Sequence, residues 1–178
     1  MAQPTKHHQT LEAYLAHEAV SAEKSEYHRG IVTLMSGGTL NHSAICVNLI
    51  GELRNVVRPV GCRAFNSDLR VYISREDLAT YPDLSIICCE PEFLAGRDDT
   101  VLNPKLIIEV LSDSTERYDR GRKFQLYPSL PSLEHYLLVS QHDVSVDYFR
   151  RAADVWELRS FTKTEQSIEV ALPAASPH

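Results

Sequence analysis

Tyr81-Pro82-Asp83-Leu84-Ser85-Ile86-Ile87 and Leu106-Ile107-Ile108-Glu109-Val110-Leu111 are the two stretches that decide how this chain folds. Both are short, rich in β-branched residues and bounded by proline, which is the pattern of buried strands. Each carries one acid: Asp83 opens the first run and Glu109 sits inside the second. A carboxylate in such surroundings is costly unless it is paired or binds a cation. For one strand acid alone the structural explanation is the better one: Asp83 makes a turn after Pro82, and Glu109 pairs with an arginine such as Arg70. Two such acids, followed by the basic segment Arg117 to Lys123, bring a metal site that hydrolyses phosphodiesters level with that explanation.

Working outward, the pattern is a mixed sheet with a few helices, an α/β or α+β domain. Thr10 caps a helix running to about Ala19, and a strand follows at Ile31 to Met35. Asn41 is placed to cap a helix over 41–58 with an apolar stripe of Ala44, Val47, Ile50, Leu53 and Val57. Cys62 to Phe65 and Leu69 to Ser74 read as strands joined by Asn66-Ser67-Asp68, and a polar loop, Glu90 to Asn103, separates the two carboxylate strands. Asp113-Ser114-Thr115-Glu116 has the form of a helix start. The helix over about 114–128 would set Asp119, Lys123 and Tyr127 on one face. Four strands complete the chain: His135 to Ser140, Val144 to Arg150, Trp156 to Phe161 and Ile168 to Ala171. No composition shift marks a domain boundary, so residues 1–178 read as one domain with frayed ends at 1–9 and 171–178.

Bulk properties narrow the classes. The net charge of −6 argues against a protein that coats nucleic acid non-specifically, and leaves binding to local basic patches such as Arg117, Arg120, Arg122 and Lys123. No apolar run reaches membrane-spanning length, and Met1 to Gln9 lacks the apolar segment of a secretory signal. Cys46, Cys62, Cys88 and Cys89 lack zinc-finger spacing and are expected to be reduced, mostly buried small hydrophobes of a cytoplasmic protein.

Phosphodiester hydrolysis needs a cation that neutralises the phosphate and activates water. A hard ion such as Mg²⁺ or Mn²⁺ prefers carboxylate and carbonyl oxygens. Asp83, Glu109 and the Val110 carbonyl supply that set, and Lys123, on the following helix, can face back toward the sheet to stabilise charge in the transition state. Glu26 is either a third metal-side carboxylate or a surface acid. His42 either meets a phosphate and positions water or hydrogen-bonds at a helix start. Asp68 reads as a turn residue, Tyr127 as core, and His7-His8 as a tail feature without a metal.

An ordered series of segments resembles the Uma2 family of restriction-endonuclease-like proteins, within the PD-(D/E)XK nuclease superfamily. It runs through Glu26-Tyr27 with Gly30, Asn41-His42, Gly61-Cys62-Arg63, Ser67-Asp68-Leu69-Arg70-Val71 and Tyr81-Pro82-Asp83-Leu84. It continues through Leu102-Asn103-Pro104, Leu106 to Ser112, Ser114-Thr115-Glu116, Tyr118-Asp119-Arg120-Gly121 with Lys123, and Leu130-Pro131-Ser132-Leu133 with Tyr136. The resemblance implies a restriction-endonuclease-like core and a metal-dependent DNA endonuclease. In it Asp83 and Glu109 hold Mg²⁺ or Mn²⁺ and Lys123 is catalytic. The superfamily pattern places a lysine at position 111, where this chain has Leu111; the Uma2-like pattern places it on the next helix, at Lys123. DNA is the implied substrate, and a homodimer suits cutting both strands of a duplex. The alternative is a catalytically inactive, nuclease-like interaction or nucleic-acid-binding protein.

Overall fold

The computed structural model describes residues 8–113 and 116–172. His7, the Ser114-Thr115 helix start and most of the two expected frayed ends lie outside the described residues. The chain runs α1 (Leu11–Glu18), β1 (Ser25–His28), β2 (Ile31–Leu34), α2 (Leu40–Val57), β3 (Arg63–Asn66), β4 (Arg70–Ile73), β5 (Leu78–Thr80), β6 (Leu84–Ile87), β7 (Thr100–Val101) and β8 (Leu106–Leu111). A helical run follows: α3 (Glu116–Tyr118), a π-helical turn (Asp119–Lys123), α4 (Phe124–Leu126) and a 3₁₀ turn (Tyr127–Ser129). Strands β9 (His135–Ser140), β10 (Val146–Ala152) and β11 (Val155–Phe161) close the fold.

The strands form two mixed sheets, one ordered β2-β1-β5-β4-β7 and the other β11-β10-β9-β8-β6-β3. β8 lies in the interior of the second sheet, antiparallel to β6 and parallel to β9. It is buried along its whole length. Its alternation sorts its two faces. Leu106 and Ile108 join Leu84, Ile86 and the Leu49, Ile50, Leu53 and Val57 side of α2. Ile107 and Leu111 join Val71, Ile73 and Leu78 of the first sheet, together with Leu126 and Tyr127. Glu109 has the parity of the second face, so its carboxylate is directed toward the helical run. The β1–β2 hairpin turns through Arg29 (φ 48°) and Gly30 (φ 83°), the two left-handed residues that a tight hairpin of this kind requires.

Several sequence expectations need correction. Thr39 caps α2, not Asn41: its extended backbone lets its hydroxyl accept from the His42 N–H at 3.1 Å, while Asn41 already lies inside the helix. The packed face of α2 is centred on Cys46, Leu49, Ile50, Leu53 and Val57, so Ala44 and Val47 fall outside it and are exposed. β3 and β4 flank one turn but belong to different sheets. The polar loop contains the short strand β7, which pairs with β4. Ile168, Val170 and Leu172 form no strand; they pack against the α2 side of the sheet, and His135 Nε2 lies 3.1 Å from the Ala171 carbonyl. Cys62 and Cys88, expected reduced, form a disulfide. The cause is the β3–β6 register: Arg63 faces Ile87, so the next pair outward is Cys62 with Cys88.

A buried polar chain ties α1 to the first sheet. Arg70 donates from Nε and Nη2 to the Tyr81 hydroxyl at 2.9 and 2.6 Å, and from Nη1 to Thr100 at 3.0 Å. Tyr81 in turn donates to Glu18 Oε1 at 3.1 Å, and Glu18 accepts from the Ser25 N–H at 2.8 Å. Arg70 is therefore committed to this chain, with Asp99 as its ion-pair partner at 3.6 Å, and is not the partner of Glu109. Replacing it leaves Glu18 buried beside groups that have lost their cation. Arg70→Met is expected to lower unfolding free energy by about 3 kcal/mol, the low end for stripping one partner from a buried charged network. Urea unfolding measures this, and a loss below about 1 kcal/mol, the scale of an exposed pair, would contradict it.

Candidate functional site

The antiparallel register of β6 and β8 pairs Leu84 with Ile108. Carried one residue further, it sets Asp83 opposite Glu109, and a backbone N–H binds each carboxylate there. The Val110 N–H donates to Asp83 Oδ2 at 2.8 Å, and the Asp83 N–H donates to Glu109 Oε2 at 3.3 Å. The carboxylates thus lie side by side where the two strands stop pairing, Glu109 buried and Asp83 partly open.

Lys123 reaches the same place from the other side. Its Nζ lies 3.1 Å from Glu109 Oε1, 3.1 Å from Glu26 Oε1 and 3.3 Å from Asp119 Oδ1. These acids come from β8, from β1 of the other sheet and from the start of the π-helical turn. Asp119 and Lys123 both face inward, as the expected i, i+4 relation requires, and turns of this kind recur at functional sites. Tyr127 is core, as expected, and its hydroxyl also donates to Glu109 Oε1 at 2.6 Å. Leu111, in the position where the superfamily pattern has lysine, is a buried core residue on the same face of β8 as Glu109.

One ammonium therefore serves three carboxylates, with Asp83 alongside. Burial pushes the Glu109 carboxyl up to about 8, with Lys123 opposing and Asp119 and Asp83 reinforcing the rise. Burial works against the charge on Lys123, yet Glu109, Glu26 and Asp119 outweigh it and hold the ammonium well above the usual lysine range. The cluster carries surplus negative charge and holds a proton tightly, which are the electrostatics of a place that accepts a cation. Its donors nearest the opening are oxygens, which suit a hard divalent ion.

His42 stands on the other flank, in the first turn of α2. Its Nε2 lies 3.2 Å from Asp83 Oδ2, and this hydrogen bond raises the imidazole to about 10. Both sequence readings of His42 leave out this contact with Asp83. Gly38 makes room for the ring: a Cβ there would come within 2.7 Å of Nδ1. Cys46 Sγ lies 3.7 Å from Nδ1 on the next helical turn. Cys46 was missed as a site residue, although its i, i+4 spacing from His42 was a usable signal. Glu26 is brought to the cluster. Asp68 is not: it closes a turn with Asn66 and pairs with Lys24 at 2.6 Å. A cavity of about 660 Å³ opens beside Glu26 and Lys123, lined also by His28, Tyr118, Arg122 and Leu34.

The model of the Uma2 family, described as "Putative restriction endonuclease", matches residues 11–176. The chain belongs to the Uma2 family. Two uncharacterized proteins of Synechocystis sp. are similar to it. One is 41% identical over 145 residues, covering 80% of this chain and 74% of its own length. The other is 33% identical over 161 residues, covering 90% and 91%. A crystal structure of a "putative nuclease belonging to DUF820" from Anabaena variabilis superposes with a TM-score of 0.73 at 22% identity, over 92% of this chain and 89% of that one. The fold of this Uma2 chain is accordingly restriction-endonuclease-like. No described helix is long and apolar enough to cross a membrane.

The raised Glu109 carboxyl has a consequence for the metal-free protein. Unfolding frees Glu109 to titrate near its ordinary value of 4.5, whereas the folded group holds its proton to about 8. Between those values the unfolded state binds fewer protons, so this group's contribution to stability falls as pH rises through that window and levels off above it. Glu109→Gln, neutral throughout, is expected to abolish that part of the fall. Thermal unfolding of both proteins in chelator from pH 4 to 9 tests it, and parallel pH curves would contradict it.

Proposed function

We propose that this chain is a divalent-metal-dependent endonuclease that hydrolyses DNA phosphodiester bonds, with Mg²⁺ or Mn²⁺ held by Asp83, Glu109 and the Val110 carbonyl. The observation that carries the proposal is the juxtaposition of Asp83 and Glu109, with the Asp83 N–H donating to Glu109, the Val110 N–H donating to Asp83, and the Lys123 ammonium 3.1 Å from Glu109. Membership in a family described as "Putative restriction endonuclease" supports a nucleic-acid substrate and divalent-metal use. Within one strand residue the N–H and C=O face the same edge, so the Val110 carbonyl shares the side on which its N–H meets Asp83.

The bound ion would neutralise the phosphate and lower the pKa of an attacking water. The protein's own groups do the rest. Asp83 and Glu109 are held by backbone donors and by Tyr127, so they need no reorganisation to act. Lys123 stays protonated at the edge of the cavity, where it can stabilise charge on a phosphoryl oxygen. Glu26 and Asp119 fix that ammonium in place. His42, kept cationic by Asp83, is a second positive group for an approaching phosphate. Arg122 lines the same cavity and extends the local basic patch that an acidic chain needs to hold DNA.

The alternative, a nuclease-like scaffold without catalysis, is the simpler reading of Leu111 alone. The burial of Lys123 among the acids supports catalysis instead, since a lysine displaced to solvent is what a lost site would leave. We further read the chain as one domain that works as a homodimer, which would present two sites to the two strands of a duplex. Light scattering is expected to give the mass of two 20.1 kDa chains, and a stable single-chain mass would overturn that part.

Nicking of supercoiled plasmid in Mg²⁺ or Mn²⁺ tests the activity. Wild type is expected to cut and to stop in chelator, and Asp83→Ala and Glu109→Ala to be inactive. Lys123→Ala is expected to lose roughly 10²–10³-fold in rate, the scale of one transition-state donor, while still binding metal. Cutting at wild-type rate by both acid variants, or none by wild type in either ion, would overturn the proposal.

A further inference from the structure

We infer that His42, Cys46 and Asp83 form a second metal site, selective for a thiophilic dication such as Zn²⁺, and that an ion there takes Asp83 away from the Mg²⁺-type site. The binding claim stands on geometry alone. The claim of competition rests on the nuclease reading above.

One ligand atom from each of the three residues lies within 4.8 Å of the other two. Four-coordinate zinc, with bonds of about 2.0–2.3 Å, needs ligand atoms roughly 3.3–3.8 Å apart, so only small side-chain adjustments are required. The pieces are also anchored. His42 and Cys46 are one turn apart on α2, whose start is fixed by the Thr39 cap. Asp83 is held by the Val110 N–H, the kind of outer hydrogen bond that orients a metal-bound carboxylate. Cys46 takes no part in the disulfide and is half-buried. Three protein ligands leave the fourth position for water.

The donor types separate this site from its neighbour. Thiolate and imidazole favour Zn²⁺ over Mg²⁺, whereas the Asp83, Glu109 and Val110 oxygens favour the harder ion. Binding displaces the thiol proton and the imidazole proton, so the site exchanges two protons for one dication. Both sites need the Asp83 carboxylate. Filling the softer one both engages that ligand and places positive charge beside the harder one.

The test is titration of Zn²⁺, and separately Co²⁺, into the metal-free full chain and into Cys46→Ser and Cys46→Ala. Wild type is expected to bind one Zn²⁺ and to show a thiolate-to-cobalt charge-transfer band. Both variants are expected to bind Zn²⁺ at least tenfold more weakly, to lose the band, and to bind Mn²⁺ as wild type does. An unchanged Zn²⁺ affinity in the variants, or a cobalt spectrum without the band in wild type, overturns the site; the band persisting in the variants would point to the exposed Cys89 and overturn it equally. In Mg²⁺-dependent plasmid nicking, Zn²⁺ is expected to inhibit wild type and to inhibit Cys46→Ser at least tenfold less. Equal inhibition overturns the competition. Absence of nicking by wild type defeats the nuclease reading and the competition with it, while the binding arms still decide the site.

Discussion

The ammonium of Lys123, shared by Glu109, Glu26 and Asp119, is the contact on which the rest of the structure converges. It joins an interior strand of one sheet, a strand of the other, and the helical run packed between them. Burying one cation with three acids is expensive, and such a set persists only when every member is held. Here they are. Tyr127 and the Asp83 N–H hold Glu109, Thr80 donates to Glu26, and the π-helical turn aims Asp119 and Lys123 inward together. What remains is a surplus of negative charge that reaches solvent at the cavity beside Glu26 and Lys123 and, on the other flank, through an opening beside Asp83.

The position of that opening follows from the sheet. β6 and β8 pair over Leu84–Ile86 and Leu106–Ile108 and then part, so the next pair, Asp83 and Glu109, lies just past the end of β6, while β8 runs on beside β9. The long helix α2 covers the opposite face of the sheet, and its first turn brings His42 to the rim. One aspartate is thus within reach of two kinds of donor set: oxygen ligands from the strands, and nitrogen and sulfur ligands from the helix. That arrangement requires no loop; every ligand sits on, or next to, a regular element, which keeps the geometry tight.

Much of this was legible in the sequence because it depends on local pattern. The β-branched runs mark the strands around Asp83 and Glu109, and i, i+4 spacing puts Asp119, Lys123 and Tyr127 on one face. The positions that escaped depend on which distant strands become neighbours. Cys62 and Cys88 are separated by 26 residues and meet only through the β3–β6 register. Arg70 looked available to Glu109 until the chain of Tyr81 and Glu18 claimed it. Glu26 could not be placed from its own surroundings, because its partner Lys123 is almost a hundred residues away. The exposed Ala44 and Val47 show the limit of an apolar stripe read from one helix without knowing what covers it.

The most direct test of the metal site is anomalous diffraction from crystals of the protein soaked in Mn²⁺. The account predicts a peak at about 2.2 Å from a carboxylate oxygen of both Asp83 and Glu109 and from the Val110 carbonyl, the distance expected for an octahedral hard dication. Lys123 Nζ should remain within hydrogen-bond reach of Glu109. No peak at that position at saturating Mn²⁺, with both carboxylates left as they are in the metal-free protein, would contradict it.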